Sequence, residues 1–273
     1  MKYSTQTVSH VESPLISCTH RLDSDNALPT LVLLHGWGLN SGVWQEAICD
    51  LVTDFDVVTV DLPGFGINAE TLPEDYSLEN IANMLAPCVP QDSILLGWSM
   101  GGLIAQHIAI ENKVKLKGLI SLASTPCFAE RDDWHGIKRP VLAAFEKQLE
   151  FDFGKTLARF LAIQALGSPS AKSDIKAIQH SINEYPQPSH VALMDGLNLL
   201  STVDLRDRIS QIGCPTLRLY GRLDSLVPID GVERIQALQP HSISQIFPHA
   251  AHAPFISHRS MWVTALKDFC QTL

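Results

Sequence analysis

The sequence predicts an α/β fold: a mostly parallel central sheet with helices on both faces and a helical cap inserted into it. Three observations predict it. Short continuous apolar runs alternate with segments of helical spacing, as in a sheet buried on both faces. Strand-like patterning stops over residues 126–205 and resumes at Pro215. The run Leu95-Leu96-Gly97-Trp98-Ser99-Met100-Gly101-Gly102-Leu103 carries an apolar strand through a glycine-flanked serine directly into a helix. The core is therefore expected at 1–125 and 206–273, with the cap at 126–205.

Residues 7–21 alternate weakly and supply one or two antiparallel edge strands, and Asp23-Ser24-Asp25-Asn26 is a turn. Residues 31–34 form a continuous apolar strand, and 44–53 carry helical spacing. A second strand at 56–61 closes in Leu62-Pro63-Gly64-Phe65-Gly66, and 78–89 reads as a helix. Residues 93–96 are the strand into the serine, 102–111 the helix after it, and 117–123 the next strand. Four helical stretches follow, at 140–149, 153–166, 171–184 and 189–200. Core patterning returns at 215–221, and 244–247 is the last strand. Open α/β sheets bind ligands beyond the carboxyl ends of their strands, so an insertion there roofs the serine and shapes a pocket.

The bulk numbers exclude several classes. At 273 residues, 45% hydrophobic and 18% charged, the chain can bury one large core that carries an insertion. A net charge of −9 argues against non-specific nucleic-acid binding and against anionic membranes. No apolar run reaches the ~18 residues of a membrane span. Met1-Lys2-Tyr3-Ser4-Thr5-Gln6 lacks the apolar core of a signal peptide, so a cytoplasmic setting is expected. The six cysteines are scattered without C-x-x-C or zinc spacing, and buried free thiols are expected for most. The histidines show no H-E-x-x-H, and nothing calls for a metal or cofactor.

G-x-S-x-G alone is also what a glycine-rich turn before an ordinary helix spells. Its surroundings give it chemistry. In this turn Gly97 and Gly101 leave room for a sharp strand-to-helix reversal that lifts the Ser99 hydroxyl above the sheet. The helix then aims its N-terminus at the serine, and the Met100 amide is free to hold an oxyanion. Upstream, Leu31-Val32-Leu33-Leu34-His35-Gly36-Trp37-Gly38 ends a buried strand in H-G-x-G, and Trp37 is the candidate for the second amide. A serine hydroxyl barely ionises at neutral pH, so Ser99 needs a base. His252, in a short loop after the last strand, is the candidate; His249 and His258 are its nearest rivals among 11 histidines. Asp224 would orient the ring. Its rival Asp204 precedes the returning core strand and suits a capping role, and Asp61, before Pro63-Gly64, reads as a turn residue. The chain order Ser, Asp, His is that of the α/β-hydrolase fold. Serine at the elbow points to esters, thioesters, amides or certain carbon–carbon bonds.

With these residues in view, the chain resembles the pimeloyl-acyl-carrier-protein methyl ester esterases of biotin synthesis. The resemblance is carried by L-V-L-L-H-G-W-G-L-N at 31–40, V-D-L-P-G-F-G at 60–66 and L-G-W-S-M-G-G-L at 96–103. It continues with R-F-L-A-I-Q at 159–164, T-V-D-L-R at 202–206 and A-H-A-P-F-I-S-H at 251–258. It implies hydrolysis of the methyl ester that caps a carrier-bound pimeloyl chain. It also implies substrate contacts at Trp37, Ser99, Met100, Phe160, Leu161, Ala162, Ile163, Gln164 and His252. One helical turn cannot aim Phe160, Leu161 and Ile163 at one pocket, so only some of them should touch the acyl chain. Lys155 and Arg159, like Lys172 and Lys176, are four apart and share a helix face. Spacing alone leaves them as solvated charges. The family's basic residues in matching places turn them into a docking face for an acidic acyl-carrier protein, and lysine keeps the charge there without bidentate pairing. The protein is expected to be a monomer. The alternatives are a broad short-chain carboxylesterase or carbon–carbon hydrolase using the same residues, and a non-catalytic binding protein on the same scaffold. The last should lack one of the three side chains, and all three are present.

Overall fold

A computed structural model describes residues 3–22, 27–164 and 171–273, so the expected turn at Asp23-Ser24-Asp25-Asn26 lies outside the described residues. The chain opens with a hairpin, β1 (Tyr3–His10) and β2 (Ser13–Leu22). Strands and helices then alternate: β3 (Thr30–Leu34), α1 (Gln45–Leu51), β4 (Asp56–Val60), α2 (Leu78–Leu85), β5 (Ser93–Trp98), α3 (Met100–Ile110) and β6 (Leu116–Leu122). Four helices interrupt the rhythm: α4 (Arg139–Leu149), α5 (Phe153–Gln164), α6 (Ala171–Ile182) and α7 (His190–Thr202). The chain closes with β7 (Thr216–Gly221), α8 (Val232–Leu238), β8 (Ile243–Phe247), α9 (Pro254–Ser257) and α10 (Arg259–Cys270).

The strands form one sheet in the order β1-β2-β4-β3-β5-β6-β7-β8. β3 to β8 run parallel, and β2 is antiparallel to both its neighbours. The apolar runs are continuous because both faces are covered. Leu31 and Leu33 join the core on one side of the sheet and Val32 and Leu34 the core on the other, all fully buried. α3 is buried along its whole length, which suits a helix with no polar face. The C-terminal helices carry no expectation from the strand rhythm. α10 nevertheless buries Trp262, Ala265, Leu266 and Phe269, a 3.6-residue stripe. Trp262 and Phe255 enclose Trp44 and Trp98, with ring centroids 4.4 Å apart for Trp44–Phe255 and 4.9 Å for Trp98–Phe255. This aromatic knot lies directly behind the loop that carries His252.

All six cysteines are free. Only Cys88 and Cys127 are buried; Cys18, Cys214 and Cys270 are half-buried and Cys49 is exposed, so the burial expected for most is found for two. Among the described residues no helix is long and apolar enough to cross a membrane.

The hairpin carries a pH-sensitive joint. His20 on β2 bonds Thr5 Oγ1 at 3.0 Å and Thr59 Oγ1 of β4 at 3.2 Å. Burial pushes its imidazole down from 6.5 to about 4. The folded protein therefore favours the neutral ring, and the stability this confers is complete above the unfolded pKa near 6.5 and drains as pH falls towards 4. Across that window the stability gap between the parent and His20→Gln should shrink by on the order of 2 kcal/mol. Urea melts at pH 7 and pH 4.5 check this; a gap independent of pH would contradict it.

Candidate active site

β5 delivers Ser99 to the head of α3 with φ +56° and ψ −121°, a conformation that side-chain-bearing residues rarely adopt. Two glycines permit it. A Cβ on Gly97 would stand 2.2 Å from the Gly101 carbonyl oxygen, and one on Gly101 would stand 2.4 Å from that of His35. The backbone of the strained residue is pinned at both ends. Its amide donates to the Leu122 carbonyl at 3.0 Å, and its carbonyl accepts from Ser124 Oγ at 2.8 Å.

The Ser99 hydroxyl lies 2.9 Å from His252 Nε2, and His252 Nδ1 lies 2.7 Å from Asp224 Oδ2. The other carboxylate oxygen, Oδ1, accepts from the amides of Leu226 at 2.8 Å and Val227 at 3.0 Å. Asp224 is thus clamped by its own loop, with one oxygen left for the imidazole. The backbone of His252 is held as well, since Trp98 Nε1 donates to its carbonyl at 2.8 Å. Histidine and carboxylate are fully or nearly fully buried and Ser99 is 2% exposed, so water screens none of these contacts. The rivals lie outside this arrangement. His249 is exposed, and His258 sits before α10 with its Nδ1 2.9 Å from Ser257 Oγ. Asp204 forks onto Arg206 with contacts of 2.9 and 2.7 Å.

The loop after β3 passes over the serine. A Cβ on Gly36 would lie 3.2 Å from Ser99 Cβ, so the backbone just before Trp37 passes close to the serine. His35 shapes this loop. Its Nδ1 donates to the Gly36 carbonyl at 2.8 Å and its Nε2 accepts the Leu62 amide at 3.0 Å, which fixes one neutral tautomer. Burial holds its pKa below the ordinary value, in keeping with that tautomer. The 3.7 Å approach of Asp61 to Nε2 is accordingly no ion pair. Asp61 is more than the turn residue expected. It is buried, and it receives the amides of Ser41 at 2.5 Å and Ile67 at 2.8 Å, tying the loops after β3 and β4 together. Sequence patterning gives no sign of this, because a buried acid satisfied by backbone is spelled like any acid before a turn.

The inserted helices cover the site. Trp37 Nε1 donates to the Leu193 carbonyl of α7 at 2.9 Å. Gly196, also on α7, lets that helix approach: a Cβ there would stand 2.8 Å from the Trp37 ring and 3.4 Å from Met100 Sδ. A lone glycine within a helical pattern was the available signal for this contact. Phe160 is buried with its ring edge-on to Trp37 at 4.9 Å and to Phe145 at 5.6 Å. Leu161 is buried, Ala162 is exposed, and the side chains of Ile163 and Gln164 lie outside the described part. Lys155 pairs with Asp152 at 3.0 Å, and Arg159 reaches Gln148 Oε1 at 3.2 Å while lying over the Phe145 ring. Lys172 and Lys176 are exposed. Glu79, His107 and Glu111 come within reach of one common cation, but they gather between α2 and the C-terminal end of α3, away from Ser99 at its head, and the carboxylates pair with Lys113 and Arg208 at 2.6 Å each.

Residues 29–259 match the family model of the alpha/beta hydrolase fold. The chain belongs to that family. The hydrolase is 50% identical to the pimeloyl-[acyl-carrier protein] methyl ester esterase of Pseudoalteromonas atlantica, over 88% of this chain and 93% of the relative. It is 45% identical to the protein of the same name from Vibrio parahaemolyticus, over 89% of this chain and 94% of that one. Among solved structures it is similar to an esterase from Exiguobacterium antarcticum, with TM-score 0.83 and 21% identity over 97% of this chain and 99% of the other, a likeness of fold.

Proposed function

We propose that this hydrolase is a serine carboxylesterase that cleaves the methyl ester of pimeloyl-acyl-carrier protein, releasing methanol and pimeloyl-acyl-carrier protein for biotin synthesis. The observation that carries the chemistry is the 2.9 Å contact between Ser99 Oγ and His252 Nε2. The substrate is carried by the relatives' shared name at 50% and 45% identity over nearly the whole chain.

In this mechanism His252 Nε2 takes the Ser99 proton as Oγ bonds to the ester carbon, and Asp224 stabilises the resulting imidazolium through Nδ1–H. The amides of Trp37 and Met100 receive the negative oxygen, each contributing ~3 kcal/mol to the transition state. The tetrahedral intermediate collapses, and His252 returns the proton to the departing methoxide as methanol. Water then repeats the sequence, with His252 as base, and frees the carboxylic acid from Ser99. Each step balances among the ester, one water and these side chains, with no cofactor. The esterase is taken to act in the cytoplasm as a monomer.

The carrier protein docks on the cationic cap face, Lys155, Arg159, Lys172 and Lys176. Opposite charge at contact matters more than the distant net −9, because screening acts over ~8 Å. Arg159 also covers Phe145, so the clean test uses the exposed Lys172 and Lys176. Lys172→Glu with Lys176→Glu should lower kcat/KM for the carrier-bound methyl ester by at least tenfold, and the loss should shrink with added salt. Methanol release, measured beside a short soluble methyl ester, reads this out. An equal fall on both esters would indicate damage to the fold and remove the docking face from the proposal.

A further inference from the structure

We propose that the cleft between α5, α6 and the loop after β3 is the binding track for the pantetheine arm of the carrier-bound substrate, with Gln179, Asn183 and Gln187 as its amide-pairing residues. The inference rests on the esterase function proposed above and assigns what selects its substrate.

The cleft has a volume of about 270 Å³ and is lined at one side by Gly38 and Leu39, the residues that follow Trp37. Its apolar wall is Leu39, Leu157 and Leu161. Leu39 stands two residues after Trp37, and Leu161 follows Phe160, whose ring packs on Trp37. Leu39 and Leu161 are each 1% exposed, so this is the deep end. Gln179, Asn183 and Gln187 line the same cleft and are exposed, so they form its mouth. Asn40 is buried in this wall too, with its Oδ1 taken by the Gly42 amide at 3.0 Å; otherwise the cleft changes from hydrocarbon near the Trp37 loop to carboxamide at the surface.

That order matches one class of ligand. A fatty acyl thioester on a pantetheine arm is a run of methylenes followed by two secondary amides. A carboxamide side chain offers a carbonyl acceptor and two N–H donors, and so pairs with an amide in either sense. Among the described residues no charged side chain lines the cleft, so a free carboxylate entering it would find no counterion. The geometry of α6 extends the match. Lys172, Lys176, Gln179 and Asn183 follow one another at steps of four, three and four, which is one stripe along a helix. The Asn183 amide still bonds the Gln179 carbonyl at 3.3 Å, so the turn persists to that residue. Eleven residues at helical rise span about 16 Å. One helix thus leads from exposed cations, suited to the phosphate that ties the arm to its carrier, to neutral amides at the cleft.

The test compares two methyl esters that share the pimeloyl chain: dimethyl pimelate, which has no amide, and the thioester of monomethyl pimelate with pantetheine, which has the arm but neither phosphate nor carrier protein. The readout is the ratio of their kcat/KM values from methanol release. The parent should prefer the pantetheine ester. That preference should fall about tenfold in Gln179→Leu with Asn183→Leu, as expected for two lost neutral hydrogen bonds. Gln187→Leu, on a separate segment, should lower it about threefold. A parent ratio near one, or variant ratios within twofold of the parent, would overturn the assignment while leaving the esterase function standing. A parent that opens neither ester would overturn both.

Discussion

Ser99→Ala should lose about 10⁶-fold in kcat on any methyl ester while folding as the parent does. The size of the loss follows from what one atom does. Oγ is the atom that bonds to the acyl carbon, and alanine offers nothing in its place. What remains is ground-state binding and the oxyanion-holding amides proposed at Trp37 and Met100, which together leave about 10³–10⁴-fold over water in enzymes of this type. The fold should be indifferent, for a reason peculiar to this elbow. Alanine keeps the Cβ that serine carries at φ +56°, so the backbone is neither relieved nor further strained. The bonds that pin the residue use its amide and carbonyl, to Leu122 and Ser124, and the substitution touches neither. A matched Tm with lost turnover and lost fluorophosphonate labelling is the expected result. Turnover within tenfold of the parent would remove Ser99 from the mechanism.

The difference between what the residues announce and what they conceal has a physical basis. β3, β4 and β5 announce themselves because a strand covered on both faces must be apolar at every position. The elbow does so because no residue but glycine fits where Gly97 and Gly101 meet backbone. Both are local constraints. Asp61 and His35 are governed by partners distant in sequence, such as the Leu62 amide on the His35 ring and the Ser41 amide on the Asp61 carboxylate. No spacing rule registers a side chain that ties two loops. Gly196 stands between the two cases: a lone glycine in a helical pattern marks a close approach, but nothing local names its partner Trp37, about 160 residues away in the chain. In the 160–164 segment, helical geometry divides the residues. Phe160 and Leu161 are buried and Ala162 is exposed.

Asp224→Asn should cost about 10⁴-fold in kcat, more than loss of a charge alone would suggest, because the loop around it dictates which way the amide points. In the parent, Oδ1 accepts two backbone N–H groups, from Leu226 and Val227, and Oδ2 faces His252 Nδ1. An asparagine in this clamp must present its carbonyl oxygen to those two amides, since turning its NH₂ towards them would set donor against donor in a buried site. The NH₂ then faces His252 and donates to Nδ1. An imidazole that accepts at Nδ1 carries its proton on Nε2, and Nε2–H points at the Ser99 hydroxyl 2.9 Å away. The ring becomes a donor where the reaction needs an acceptor. The volume of the side chain and the contacts of the loop are unchanged, so Tm should move little. The pair of substitutions Asp224→Asn and Asp224→Ala separates tautomer from charge. Alanine leaves the Leu226 and Val227 amides unpaired and frees the ring to take either tautomer, so it should be less stable than asparagine yet no less active. If asparagine were the more active of the two, the orientation set by the loop amides would not be what governs the ring.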